Sequence, residues 1–149
     1  MITYNGEIYN YKELKNFLIK KNVKFKSNSD TEVILESYKY WGIDFLEKIR
    51  GMYAFCIFDI KKRNIILARD PFGIKPLYYS EINSVFYFAS QAKSLLQIEN
   101  IDNETSKKAI INYFLWGNIN EPDTIYENIK VLKRGSYLII NSEGSKNFH

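Results

Sequence analysis

The sequence predicts an α+β fold in which stacked sheets lie between helices. Three features point there. Apolar residues recur at helical spacing near the N-terminus and again between residues 91 and 116. The run Met52-Tyr53-Ala54-Phe55-Cys56-Ile57-Phe58 is apolar at successive positions, so that strand must be covered on both faces. Turn-forming clusters at residues 59–64 and 82–84 divide the middle of the chain into hairpins.

Taken in order, Met1 to Tyr4 is β-branched and aromatic and reads as a short strand, with Asn5-Gly6 as a turn behind it. Ile8, Tyr11, Leu14, Phe17 and Leu18 then share one helical face, opposite lysines, in a helix that ends near Lys21-Asn22. Ser29-Asp30-Thr31-Glu32 has the form of a capping box and opens a second helix. Its apolar face runs through Val33, Ile34, Ser37, Tyr38 and Trp41, and Gly42 stops it. Ile65-Ile66-Leu67-Ala68 returns antiparallel to the central strand. Pro71, Gly73 and Pro76 break the chain into an irregular loop, and Leu77-Tyr78-Tyr79 pairs with Val85-Phe86-Tyr87-Phe88-Ala89. Short helices are expected at residues 91–97 and 106–116. A last hairpin is expected between Lys130-Val131 and residues 136–140, followed by a Ser-Glu-Gly turn.

Composition excludes several classes. The 149 residues carry one cysteine, Cys56, and one histidine, His149. No internal disulfide framework, cysteine-built zinc site or Ser-His-Asp triad can be assembled from them. The net charge of +4 comes from 17 Lys and four Arg, scattered singly or in pairs, whereas a nucleic-acid surface concentrates arginine forks. The 15 Asn and 21 Ile make this a broad compositional bias. No apolar run approaches the roughly 18–20 residues needed to span a bilayer, and the N-terminus lacks signal-peptide features. A cytoplasmic protein without a nucleic-acid or membrane partner is the expectation.

A few residues could carry chemistry. Asn5-Gly6-Glu7, between strand and helix, reads either as an ordinary turn or as a glycine N–H and an Asn amide aimed at an oxyanion. Asp30 either favours the positive end of its helix or holds a substrate ammonium group. Arg69, Asp70 and Lys75 flank the Pro/Gly loop and are expected to fix it against a neighbouring surface. Cys56, mid-strand among Phe55 and Ile57, reads as a buried inert thiol, and His149 as a frayed terminal side chain.

These signals together resemble one family. Ile2-Thr3-Tyr4-Asn5-Gly6-Glu7-Ile8-Tyr9-Asn10-Tyr11, Ser29-Asp30-Thr31-Glu32 and Arg50-Gly51-Met52-Tyr53-Ala54-Phe55 are similar to segments of the asparagine synthetase (glutamine-hydrolysing) branch of the class II glutamine amidotransferases. So are Ala68-Arg69-Asp70-Pro71-Phe72-Gly73-Ile74-Lys75-Pro76-Leu77-Tyr78-Tyr79 and Phe88-Ala89-Ser90. A weaker resemblance to glutamine phosphoribosylpyrophosphate amidotransferase centres on residues 69–77. The resemblance implies an N-terminal-nucleophile hydrolase-like four-layer α-β-β-α sandwich, incomplete at its N-terminus. In that family an N-terminal cysteine attacks the side-chain amide of glutamine, with its own α-amine as base. It further implies that Asn5 and Gly6 form the oxyanion hole, that Glu7 frames the L-glutamine pocket, and that Asp30 holds the α-ammonium.

The family's Met-Cys-Gly-Ile opening, the arginine segment that clamps the substrate carboxylate and the Ser-Gly-Gly-x-Asp-Ser pyrophosphate loop are not in this sequence. Lys133-Arg134-Gly135 also departs from the family, which usually has a proline before that glycine. The resemblance therefore implies that residues 1–149 are a partial glutaminase domain, with the synthetase domain absent and Met1 an internal methionine of the parent. The parent would hydrolyse glutamine to supply ammonia for ATP-dependent amidation of aspartate, and its oligomeric state, homo-oligomer or not, stays open. No cofactor or metal is expected in this chain; ATP and Mg are implied for the synthetase domain. The chain alone is expected to be inactive. The alternative is a non-catalytic binding or scaffolding module that retains the fold, against which missing sheet segments would argue by leaving unpaired edges.

Overall fold

The computed structural model describes residues 1–149 and contains two antiparallel sheets and four helices. The strands are β1 (Ile2–Ile8), β2 (Gly51–Asp59), β3 (Asn64–Arg69), β4 (Tyr78–Ile82), β5 (Val85–Ala89), β6 (Lys130–Val131), β7 (Tyr137–Ile140) and β8 (Lys146–Phe148). The helices are α1 (Tyr11–Lys20), α2 (Asp30–Trp41), α3 (Ala92–Leu95) and α4 (Lys107–Trp116). The larger sheet has the order β1-β2-β3-β7-β8 and the smaller β5-β4-β6.

The alternation of β2 builds the layers. Tyr53, Phe55 and Ile57 face Val33, Ile34 and Tyr38 of α2 and Leu14 of α1, and a 3₁₀ turn at Gly42–Glu47 inserts Phe45 among them. Ala54 and Cys56 face the other way, onto Leu77, Leu132 and the ring of Phe88 from the smaller sheet's side. Beyond that sheet, Leu95, Ile101 and Ile129 close a third apolar cluster with Tyr78, Ile82 and Tyr87. Helix, sheet, sheet and helix follow in succession, which is the four-layer α-β-β-α sandwich expected from the sequence.

α2 matches its expected face: Val33, Ile34, Ser37 and Tyr38 are its buried residues, and Gly42 caps it at φ +63°. Its capping box is altered. Ser29 accepts from Thr31 N–H at 3.0 Å, while Glu32 accepts from the amides of Lys26 and Ser27 and from the Ser27 hydroxyl (2.6–2.8 Å), tying the preceding loop to the helix.

Four expectations fail. Ile8, expected on the face of the first helix, ends strand β1 instead, and α1 begins only at Tyr11. Asn5-Gly6 is not a turn, because β1 runs straight through it to Ile8 in one unbroken register with β2. Gly6 lies opposite Tyr53, and Gly51 opposite Ile8, at the non-hydrogen-bonded pairs where antiparallel strands approach most closely. A Cβ on Gly6 would collide with the Met52 carbonyl oxygen and lie 2.8 Å from Tyr53 Cα. The glycine therefore serves close approach, not chain reversal.

β6 and β7 do not form a hairpin. β6 pairs with β4 in one sheet and β7 with β3 in the other, because Leu132 N–H donates to Leu77 O at 2.8 Å and the chain then crosses between sheets. His149 is not frayed. Its amide donates to Tyr137 O at 3.0 Å, it accepts from Tyr137 N–H at 3.1 Å, and its ring stacks on Tyr137 after the unforeseen strand β8.

α4 stands apart. Ser106 caps it and Ala109 anchors it, yet Ile111, Phe114, Leu115 and Trp116 are exposed. No helix is long and apolar enough to cross a membrane.

Candidate functional site

The expected site residues gather around one feature, the open edge of β1. β1 is hydrogen-bonded on one side only, to β2. Tyr9 N–H donates to Arg50 O at 2.7 Å and Phe58 N–H to Met1 O at 2.9 Å, which fixes the phase of the ladder. Odd residues Thr3, Asn5 and Glu7 exchange bonds with β2, while Tyr4, Gly6 and Ile8 turn their N–H and C=O groups toward the open edge. Ile8 demonstrates the phase, since its N–H leaves the sheet and donates to Asp30 at 3.1 Å.

Side chains alternate in the same register. Ile2, Tyr4 and Ile8 pack against the cluster beneath α2, and Thr3, Asn5 and Glu7 emerge exposed on the opposite face. Asn5 borders a cavity of about 280 Å³ between the sheets, lined also by Thr3, Cys56, Pro76, Leu77 and Phe88-Ala89-Ser90. The Gly6 N–H at the edge and the Asn5 amide beside this cavity are thus adjacent donors. Asn10 helps hold the edge in place: its side chain donates to Lys48 O at 2.9 Å and accepts from Arg50 N–H at 2.8 Å.

Asp30 approaches from the helix side. Tyr4 Oη donates to its Oδ2 at 2.8 Å and Ile8 N–H to the same oxygen at 3.1 Å, leaving Oδ1 for another donor. The tyrosine hydroxyl is held far above its ordinary pKa, first by burial and then by its bond to Asp30, so it remains a proton donor. In the sequence, Tyr4 is marked only as an aromatic hydroxyl on the helix-facing side of the strand that carries Asn5 and Gly6.

Arg69 and Asp70 fix the Pro/Gly loop, as expected. The Arg69 guanidinium donates to Lys75 O (2.9 Å), Gly73 O (2.8 Å), Leu132 O (2.7 Å) and Glu121 (2.7 Å). Lys75 contributes its backbone groups to this loop: its N–H donates to Asp70 at 3.0 Å and its carbonyl accepts from Arg69. Cys56 is buried, and burial pushes its thiol up to about 11, which disfavours the nucleophilic thiolate.

No three His, Cys, Asp or Glu groups converge, Glu121 is engaged by Arg69, and Asp123 by Lys108 and Lys130.

Two stacked antiparallel sheets between helices, with β1 open at one edge, form a four-layer α-β-β-α sandwich. The chain belongs to the glutamine amidotransferase domain family, which matches it over residues 1–149. It is 43% identical over 147 residues to asparagine synthetase (glutamine-hydrolyzing) 1 of Bacillus subtilis, covering 99% of this chain and 23% of that protein. A putative asparagine synthetase (glutamine-hydrolyzing) 2 of Methanocaldococcus jannaschii is 42% identical over 143 residues, covering 95% of this chain and 27% of that one. The chain thus spans about a quarter of the length of these curated relatives. The glutamine phosphoribosylpyrophosphate amidotransferase of B. subtilis, complexed with ADP and GMP, shares the fold. Its TM-score is 0.68 and its identity 24%, over 99% of this chain and 28% of that one.

Proposed function

We propose that this chain forms the glutamine-receiving wall of an amidotransferase of the asparagine synthetase type. In this reading the Asn5 side-chain amide and the Gly6 N–H stabilise the oxyanion that forms when a thiolate attacks the side-chain amide of L-glutamine. Glu7 frames the pocket, and Asp30 Oδ1 receives the α-ammonium. The observation that carries the reading is the phase of β1, which turns the Gly6 N–H to the open edge beside Asn5 and two residues from the amide that binds Asp30.

Cys56 does not serve as the nucleophile in this scheme, because a buried mid-strand thiol high in pKa yields almost no thiolate. The attacking cysteine belongs to the parent's N-terminal segment. Ammonia then passes to a synthetase domain that activates aspartate with ATP and magnesium. In this reading the parent works in the cytoplasm, without a nucleic-acid or membrane partner.

Ammonia release from L-glutamine tests the scheme. The 149-residue chain alone should stay at background, and adding an N-terminal segment that begins Met-Cys-Gly-Ile should restore turnover. Enzyme-like release by the chain alone would contradict the scheme. Glutamine binding without such rescue would favour a non-catalytic module.

A further inference from the structure

We infer that Tyr4 is a positioning residue for substrate recognition, selecting which carboxylate oxygen of Asp30 meets the ammonium group of an amino-acid ligand. The inference rests on the reading of Asp30 given above. A carboxylate oxygen offers two in-plane lone pairs. On Asp30 Oδ2 both are engaged, one by Tyr4 Oη at 2.8 Å and one by Ile8 N–H at 3.1 Å. A third donor must therefore use Oδ1.

The two donors are rigidly placed relative to each other. Tyr4 and Ile8 lie on the same strand and the same face, four residues apart, in a register with β2 that holds from Ile2 to Ile8. Tyr4 packs against the apolar cluster beneath α2 that includes Ile8, Val33 and Ile34, so the hydroxyl reaches the first residue of that helix from a fixed base. Without the hydroxyl, one Oδ2 lone pair is free and the carboxylate can rotate about χ2, a broad torsion for Asp. An ammonium group would then meet either oxygen, in more than one pose.

Calorimetric titration of two ligands separates positioning from general damage. L-Glutamine carries the α-ammonium; 4-carbamoylbutanoate is the same molecule with hydrogen in its place. Tyr4→Phe keeps the ring in its cluster and should weaken L-glutamine about tenfold, the order expected for one hydrogen bond to a charged group. Its affinity for 4-carbamoylbutanoate should not change. Asp30→Asn should weaken L-glutamine more, again without affecting the deamino ligand. If Tyr4→Phe weakens both ligands equally or neither, while Asp30→Asn still discriminates, the positioning role is overturned and the Asp30 assignment stands. If Asp30→Asn does not discriminate, or the unmodified chain fails to bind L-glutamine, the underlying reading falls and the inference with it.

Discussion

Tyr53 and Asp70 bind each other in both directions: the Asp70 amide donates to the Tyr53 carbonyl at 2.8 Å, and the Tyr53 amide donates to the Asp70 carboxylate at 3.3 Å. The same carboxylate, fully buried, accepts from the amides of Phe72, Ile74 and Lys75 at 3.0–3.1 Å. One side chain thus joins the end of β3 to β2 and folds the following loop around itself.

Burial alone would raise the Asp70 pKa, but these backbone donors outweigh it and hold the carboxyl below its ordinary value. A depressed folded pKa gives stability that is present above the unfolded value, about 3.9, and is lost as pH falls through the folded one. Asp70→Asn should cost about 3 kcal/mol at neutral pH, since a neutral amide accepts these bonds poorly. The difference from the unmodified chain should shrink below about pH 4 as Asp70 itself protonates. Urea denaturation at a series of pH values measures both.

Arg69 holds the same loop from the other side. Arg69→Lys keeps the charge but loses the fork that reaches the carbonyls of Gly73, Lys75 and Leu132 together with Glu121. The expected loss is about 2–3 kcal/mol, read from the denaturation midpoint at constant m-value.

Gly6→Ala should be more damaging than its size suggests. The added Cβ meets the Met52 carbonyl and the Tyr53 Cα, both backbone, so β1 must move away from β2. A loss of about 2–4 kcal/mol is expected, with faster hydrogen exchange at Tyr9, whose amide donates across to Arg50.

Cys56 should resist modification. With the thiol at about 11, only about one molecule in a thousand is thiolate at pH 8. Iodoacetamide should label the folded chain slowly and the urea-unfolded chain at an ordinary thiol rate, followed by mass spectrometry.

The layers were legible because they rest on periodicity. Val33, Ile34, Ser37 and Tyr38 fall on one helical face, and the two-sided apolar run of β2 requires a layer on each side. What stayed hidden depends on contacts far apart in sequence. Asn5-Gly6 carries the local signature of a turn, and only the approach of Met52 and Tyr53 shows why glycine is needed within a strand. Lys133-Arg134-Gly135-Ser136 looks like a hairpin loop, but Leu77 and Arg69 hold Leu132 in the inter-sheet layer and carry the chain across. Around the β1 edge, Asn5, Gly6, Glu7 and Asp30 could be singled out as candidates from motif order. The partner of Asp30 could not, because Tyr4 is 26 residues away and speaks through its hydroxyl alone.

Titration of the isotopically labelled chain with L-glutamine, followed by amide NMR, tests the central claim most directly. Saturable shifts at Gly6, Glu7, Ile8 and Asp30, with Gly6 N–H moving downfield as it gains an acceptor, are the predicted result. The absence of saturable shifts at those amides, or saturable shifts confined to residues remote from the β1 edge, would contradict it.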